Sequence, residues 1–212
     1  MTFASRADAG RSLGRHLRER GVMVDGVLGL PRGGVLVAAE VARVLQRPLD
    51  VLVVRKIGHP RNREFAIGAL AEGGIVILDE SAIHSDAGVR EELDGVIREE
   101  RERLREYEFK FHAGARLNPA GKRLLIVDDG LATGLTAEAA VLSCRKQGAR
   151  EIIVAAPAAS AGAVERLKRV ADTVEVMVVD VNFEAVGRYY EVFSQTSDAE
   201  VLELLGARNL PG

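Results

Sequence analysis

The 212-residue chain reads as an α/β protein: a parallel, twisted sheet flanked by helices, with a small insert region. Two observations predict the sheet and its helices. Apolar runs alternate with helical patterns of about 10–15 residues, the signature of βαβ units. The runs 124–127, 152–156 and 176–179 show no apolar–polar alternation, as expected for strands covered on both faces.

In chain order, Ala9, Leu13 and Leu17 recur at helical spacing among Arg6, Arg11, Arg15 and Arg18, which predicts an amphipathic helix over 5–20 ended by Gly21. VMVDGVLGL (22–30) predicts a strand, PRGG (31–34) a break, and VLVAAEVARVLQ (35–46) a helix. PLDVLVV (48–54) predicts a second strand, and RKIGHPRNRE (55–64), with Gly58 and Pro60, a loop. Residues 65–80 predict two short strands in a hairpin around Gly73-Gly74. Residues 88–110 mix six basic with eight acidic side chains along a narrow stripe of Leu93, Ile97, Leu104 and Tyr107, predicting a long solvent-exposed helix. Then come a strand (122–129), a helix (136–149) closed by Gly148, a strand (151–159), a helix (161–171), a strand (173–181) and a short C-terminal helix (198–205). The expectation is one domain over 1–212, with its core at about 22–180 and a helical insert at about 85–110.

Composition narrows the function classes. Twenty-nine basic against 31 acidic residues leave a net charge of −2, which disfavours a general nucleic-acid binder. The single cysteine, Cys144, excludes an intrachain disulfide and a cysteine-clustered metal site. No apolar run approaches the roughly 18 residues of a membrane span. The N-terminal stretch lacks the apolar core of a signal peptide. The expectation is a cytoplasmic enzyme or ligand-binding protein.

In a parallel sheet, ligands sit beyond the carboxyl ends of the strands. After the strand 124–127 stands Asp128-Asp129-Gly130-Leu131-Ala132-Thr133-Gly134-Leu135-Thr136, which opens into a helix. The turn and helix N-terminus offer backbone N–H groups and a partial positive charge to a phosphate, and Thr133 and Thr136 add hydroxyls. The two acids repel phosphate and suit a different part of the ligand: vicinal sugar hydroxyls or a divalent cation. A phosphate-plus-diol ligand, such as a ribose 5-phosphate unit, answers both demands. The competing account is a helix capped by Thr136 beside two incidental surface acids. Neither GxxxxGK[ST] nor GxGxxG is present.

After the first strand, Pro31-Arg32-Gly33-Gly34 lets backbone approach an anion, with Arg32 as a bidentate donor; a plain turn with a solvated Arg is the alternative. After the second strand, Arg55, Lys56, Arg61 and Arg63 put four cations into nine residues, either a solvated loop or a clamp for a polyanion.

LLIVDDGLATGLT (124–136) resembles the phosphoribosyl-diphosphate motif of the type I phosphoribosyltransferases. GLPRGG (29–34) is similar to that family's pyrophosphate loop, and Arg55-Lys56 with the basic stretch after them to its flexible catalytic loop. Order and spacing match over roughly 22–156, and the tail around 181–201 looks like a bacterial branch of the family. The resemblance implies phosphoribosyl diphosphate bound with Mg²⁺, and a nitrogen nucleophile displacing pyrophosphate from C1 of ribose. Asp128 and Asp129 would hold the ribose hydroxyls or the Mg²⁺. Thr133, Gly134, Leu135 and Thr136 would hold the 5-phosphate, and Arg32, Gly33 and Lys56 would stabilise the charge developing on pyrophosphate. Arg55 joins the catalytic set, Pro31, Gly34, Gly130, Leu131 and Ala132 the substrate-binding set, and His59 is a candidate proton donor. The resemblance also implies a hood over the acceptor base, drawn from 1–20 and 181–194. Ala132 stands where purine-salvage members carry an acid before the Thr, which weakens a hypoxanthine–guanine assignment. Phe183, with Tyr189 and Tyr190, is expected either to stack on the acceptor base or to be core. The implied partners are phosphoribosyl diphosphate and an unidentified base, with neither membrane nor nucleic acid, in a possible homodimer. The alternative is a non-catalytic sensor that keeps the phosphoribosyl-diphosphate pocket for regulation.

Overall fold

The computed structural model describes residues 1–84, 89–112, 114 and 116–206. Residues 85–88, where the helical insert is expected to begin, lie outside the described residues. The elements are α1 (Arg6–Glu19), β1 (Gly26–Gly29), α2 (Gly33–Leu45), β2 (Leu49–Val51), β3 (Val54–His59), β4 (Asn62–Ala71), β5 (Ile75–Leu78), α3 (Glu80–His84), α4 (Val89–Phe111), β6 (Arg123–Val127), α5 (Leu135–Lys146), β7 (Glu151–Ser160), α6 (Ala161–Leu167), β8 (Thr173–Asp180) and α7 (Asp198–Gly206).

The main sheet runs β2-β1-β6-β7-β8, with every neighbouring pair parallel. On β6, Leu125 and Val127 face Leu13, Val37 and Val41 of α1 and α2, while Leu124 and Ile126 join Val141, Cys144 and Leu167 of α5 and α6. Both faces are therefore apolar, and this is why the strand sequences lack alternation. Burying each such side chain contributes about 1.5–3 kcal/mol.

The expected strand 48–54 is two strands. β2 stays in the main sheet, whereas β3 turns into a separate antiparallel sheet of order β3-β4-β5. At the joint, the Val53 N–H leaves the ladder and donates to buried Glu72 Oε1 at 2.6 Å, and Leu52 N–H reaches the Gly29 carbonyl at 3.1 Å. Once Glu72 satisfies that orphan donor, the chain can change sheets without leaving a buried N–H unpaired. The same carboxylate accepts from His112 Nε2 at 2.7 Å and pairs with Arg116, tying the connection after α4 to this corner.

The stretch 55–64, expected to be a loop, forms the two arms of the β3–β4 hairpin. Its basic residues read as loop because Gly, Pro and Asn sit among them; Arg-for-carboxylate pairing with α4 supplies what the local pattern lacks. The hairpin around Gly73-Gly74 forms as expected, with both glycines at positive φ.

α1 starts at Ser5, whose side chain accepts from Asp8 N–H. Its end is closed by Gly21 at φ +71° and by Val22 N–H donating to the Leu17 carbonyl, and of the expected strand 22–30 only Gly26–Gly29 forms β1. The N-terminus and the segment 189–192 are sewn together: Phe3 N–H donates to Tyr189 O, Glu191 N–H to Phe3 O and Val192 N–H to Ala4 O. Residues 3–4 and 189–192, which fall in the two segments expected to supply the hood, are thus joined.

Candidate active site

The order β2-β1-β6 reverses direction between β1 and β6, so the loops leaving those two strands part to opposite sides and open a crevice there. A cavity of about 830 Å³ occupies it. Two helix N-termini face it, one from each loop.

The first is α2. Pro31, Arg32 and Gly33 line the cavity, and the Pro31–Arg32 peptide is cis. Gly34 does not line it, but a Cβ there would lie 2.8 Å from Asp128 Oδ1, so its lack of a side chain lets the α2 backbone press against that carboxylate. The second is α5. Gly130, Leu131, Ala132, Thr133, Gly134 and Thr136 line the cavity, while Leu135 is buried in the core beneath. The N-cap is Gly134 at φ +75°, which has no side chain to cap the helix; Leu135 N–H makes a long 3.4 Å hydrogen bond to Thr133 Oγ1. This is not the Thr136 cap of the competing account. The loop is anchored at its back: Leu131 N–H donates to Ala158 O, Ser160 N–H to Leu131 O and Ser160 Oγ to Ala132 O.

Asp128 and Asp129 sit between these two N-termini and both line the cavity. Asp128 Oδ1 accepts from Asp129 N–H at 2.8 Å. Burial, then the neighbouring Asp129 charge, push the Asp128 carboxyl up to about 8; that N–H and the Lys56 charge pull it partly back. Asp129 Oδ2 accepts from Arg6 Nε at 2.7 Å.

Arg55 and Lys56 line the wall opposite, from β3. Arg55 donates to Glu100 Oε2 at 2.9 Å, and its guanidinium lies 5.2 Å from the Tyr107 ring centroid. Arg63, also lining the cavity, pairs with Glu99 at 3.1 Å, and Arg61 with Glu92 outside it. Arg32 lies 3.6 Å from Asp198 of α7. His59 is not among the lining residues; its Nδ1 accepts from Arg61 N–H. Phe183 is also outside the lining, stacked on Tyr189 at 5.1 Å. Tyr189 donates to Asp180, and Tyr190 to the Asp129 carbonyl. Val186, packed over Gly130, reaches the cavity from the segment 181–194.

Sequence reasoning missed Glu99, Glu100, Arg103 and Tyr107, which bring α4 into the cavity wall. Glu100 is 5% exposed and accepts from both Arg55 and Arg103. Within a stripe of alternating charges, no local signal sets these residues apart. Arg6 is one polar residue of an amphipathic helix, and nothing in its spacing distinguishes it from Arg11.

Residues 6–191 match the phosphoribosyl transferase domain family. Two Mycobacterium tuberculosis proteins bearing the name "putative phosphoribosyl transferase" are 42% identical over 207 residues, covering 96% of this chain and 46% of theirs; the chain spans about half the length of these curated relatives. The crystal structure of TT1426 from Thermus thermophilus is 41% identical with a TM-score of 0.78, covering 97% of this chain and 98% of that one. The AQ2163 protein from Aquifex aeolicus shares the fold at 13% identity, with a TM-score of 0.51 over 82% of this chain and 74% of that one. The motif order, the crevice between β1 and β6 and the match across 6–191 agree: this chain belongs to the phosphoribosyl transferase domain family.

Proposed function

We propose that the chain transfers ribose 5-phosphate from phosphoribosyl diphosphate to a nitrogenous base or other amine, releasing pyrophosphate. One observation carries this reading: two uncapped helix N-termini and two adjacent carboxylates face one cavity at the crevice between β1 and β6. A ligand with a phosphate at each end and a diol between them uses all of these features. The 5-phosphate sits on the Thr133–Thr136 turn, the ribose hydroxyls on Asp128 and Asp129, and the diphosphate against Arg32, Gly33 and Lys56. The acceptor nitrogen forms its bond to C1 as the C1–O bond to pyrophosphate breaks, and the nitrogen gives up a proton. The charge that develops on the leaving diphosphate is met by cations and N–H groups already in place, which lowers the barrier.

Among the described residues no group of three or more acid, His or Cys side chains could hold a metal alone. Adjacent Asp128 and Asp129 fit Mg²⁺, which is commonly held by one or two carboxylates, substrate phosphate oxygens and water. Bound there, it would neutralise diphosphate charge.

The acceptor is left open by the hood, whose rings Phe183, Tyr189 and Tyr190 are engaged within the protein. The reading further implies a cytoplasmic homodimer with soluble ligands and neither membrane nor nucleic acid as partner. No helix among the described residues is long and apolar enough to cross a membrane. Sedimentation at several protein concentrations tests the dimer.

A second reading, a sensor that binds phosphoribosyl diphosphate without transfer, is favoured by one observation: Arg32 and Arg55 are both engaged by carboxylates of the chain itself, Asp198 and Glu100. Two measurements test both readings. Phosphoribosyl diphosphate with Mg²⁺ raises the melting temperature, and Asp128→Asn with Asp129→Asn removes the shift; no shift in the unaltered protein at saturating ligand overturns the site. Pyrophosphate release with one member of a panel of bases and amines establishes transfer, whereas binding without release across the panel favours the sensor.

A further inference from the structure

Asp129 is gripped from behind by the two ends of the chain. Arg6, in the first turn of α1, is 8% exposed and does not line the cavity. Its Nε donates to Asp129 Oδ2 at 2.7 Å, its Nη1 donates to the Ser194 carbonyl at 2.7 Å, and the Phe193 ring centroid lies 3.9 Å from its guanidinium carbon. The planar fork is therefore fixed on three sides. Tyr190 donates its hydroxyl to the backbone carbonyl of Asp129 at 2.5 Å, and Tyr190 is itself bridged to Phe3. Side chain and peptide of one residue are thus held independently by one clamp built from residues 3–6 and 190–194.

Such a clamp is a weak device for stability, because a buried ion pair contributes little beyond a well-packed apolar pair. Its geometric effect is large. Committing Oδ2 to Arg6 fixes the rotation of the Asp129 carboxyl and leaves its other oxygen for the cavity that Asp129 lines. The guanidinium charge also offsets one of two adjacent carboxylates, which would otherwise repel each other with no ligand between them. Gly33 completes the arrangement, since a Cβ there would lie 2.0 Å from Asp129 Oδ2 and 2.7 Å from Arg6 Nε.

We propose that Arg6 is a positioning residue of the ribose site: it holds one oxygen of Asp129 so that the other is presented to the ribose hydroxyls, and Tyr190 fixes the peptide that carries it. The inference rests on the phosphoribosyl diphosphate reading above. The fork is required as well as the charge, so Lys is an incomplete substitute.

The test compares two ligands by titration calorimetry: phosphoribosyl diphosphate with Mg²⁺, which needs the ribose site, and inorganic pyrophosphate without Mg²⁺, which needs only the cationic side. Arg6→Gln weakens phosphoribosyl diphosphate by about 10–100-fold, the range seen when a residue that orients a ligating group is lost, and leaves pyrophosphate affinity unchanged. Arg6→Lys falls between Arg6→Gln and the unaltered protein. Tyr190→Phe, which removes one hydroxyl and keeps the ring, gives a smaller loss with the same selectivity, and carries the test should Arg6→Gln not fold. Equal weakening of both ligands, or unchanged phosphoribosyl diphosphate affinity in Arg6→Gln and Tyr190→Phe, overturns the role given to Arg6. Failure of the unaltered protein to bind phosphoribosyl diphosphate while it binds pyrophosphate overturns the ribose-site reading itself.

Discussion

Replacing Gly33 with Ala tests the packing behind the two carboxylates with a single methyl group. The added Cβ would stand 2.0 Å from Asp129 Oδ2, 2.8 Å from Asp129 Cγ and 2.7 Å from Arg6 Nε, whereas Cβ contacts under 3.0 Å essentially never occur. The carboxylate must retreat by at least 1 Å, taking it out of the 2.7 Å bond from Arg6. Gly33 does not adopt a positive φ, so the backbone itself accepts Ala and the whole cost is steric. Overpacking costs about 1–3 kcal/mol, and a hydrogen bond to a charged group about 1.5–3 kcal/mol. A loss on the order of 3 kcal/mol follows, equivalent to about 1 M in the urea midpoint at the slope usual for a chain of this size. Gly95→Ala on α4 is the control: its Cβ meets nothing within 4 Å, and Ala is preferred over Gly in a helix by about 1 kcal/mol, so that midpoint rises. Urea unfolding followed by circular dichroism, with phosphoribosyl diphosphate titrations on the folded proteins, measures both. A Gly33→Ala midpoint equal to that of the unaltered protein, with ligand binding intact, would refute the close packing of α2 on Asp129.

Three further outcomes follow from individual residues. Asp128, with its carboxyl raised to about 8 by burial and by Asp129, keeps its proton in the folded chain over a range where the unfolded chain has lost it. Folding stability from this group therefore falls as pH climbs from about 4, the unfolded value, towards about 8, at no more than about 1.4 kcal/mol per pH unit. Asp128→Asn cannot titrate, so its stability relative to the unaltered protein should grow across that window and then level off; parallel pH profiles would contradict this. The Cys144 thiol, buried in the core and pushed up to about 12, should resist thiol reagents in the native protein and react only on unfolding; rapid native labelling would count against its placement. Glu100→Gln removes a carboxylate that engages Arg55 and Arg103 at the cavity wall. Pyrophosphate should then bind roughly fivefold tighter, the effect of one charge contact of about 1 kcal/mol in watery surroundings; weaker binding would show that Glu100 serves the anion by holding the arginines in place.

The long helix α4 shows how these charges are shared between fold and site. Its acids Glu92, Glu99 and Glu100 pair with Arg61, Arg63 and Arg55 of the β3–β4 hairpin. The exposed pairs contribute at most about 1 kcal/mol each, so they set where the hairpin lies more than how stable it is. An incoming polyanion competes for the same arginines. The basic stretch is a pair of strands rather than a loop; its Arg55, Arg61 and Arg63 pair with α4, and Arg55, Lys56 and Arg63 line the cavity.

Local chemistry alone determined the alternation of strands and helices, the doubly covered sheet and the strand-end loops at 31–34 and 128–136. Those features are written in consecutive residues: an apolar run, then acids or glycine, then a helix start. The splitting of 48–54 between two sheets was not, because it depends on Glu72, which satisfies the Val53 N–H from 19 residues away. The α4 wall was not either, since a buried acid and a solvated one look alike in a charged stripe until the partner helix and strands are placed. Arg6 and Asp129 lie 123 residues apart and meet only because the segments 3–6 and 190–194 come together beside the end of β6. Sequence periodicity reports what each residue does to its own turn or strand. Which oxygen of a carboxylate faces the ligand is a contact between distant segments, and only the tertiary structure decides it.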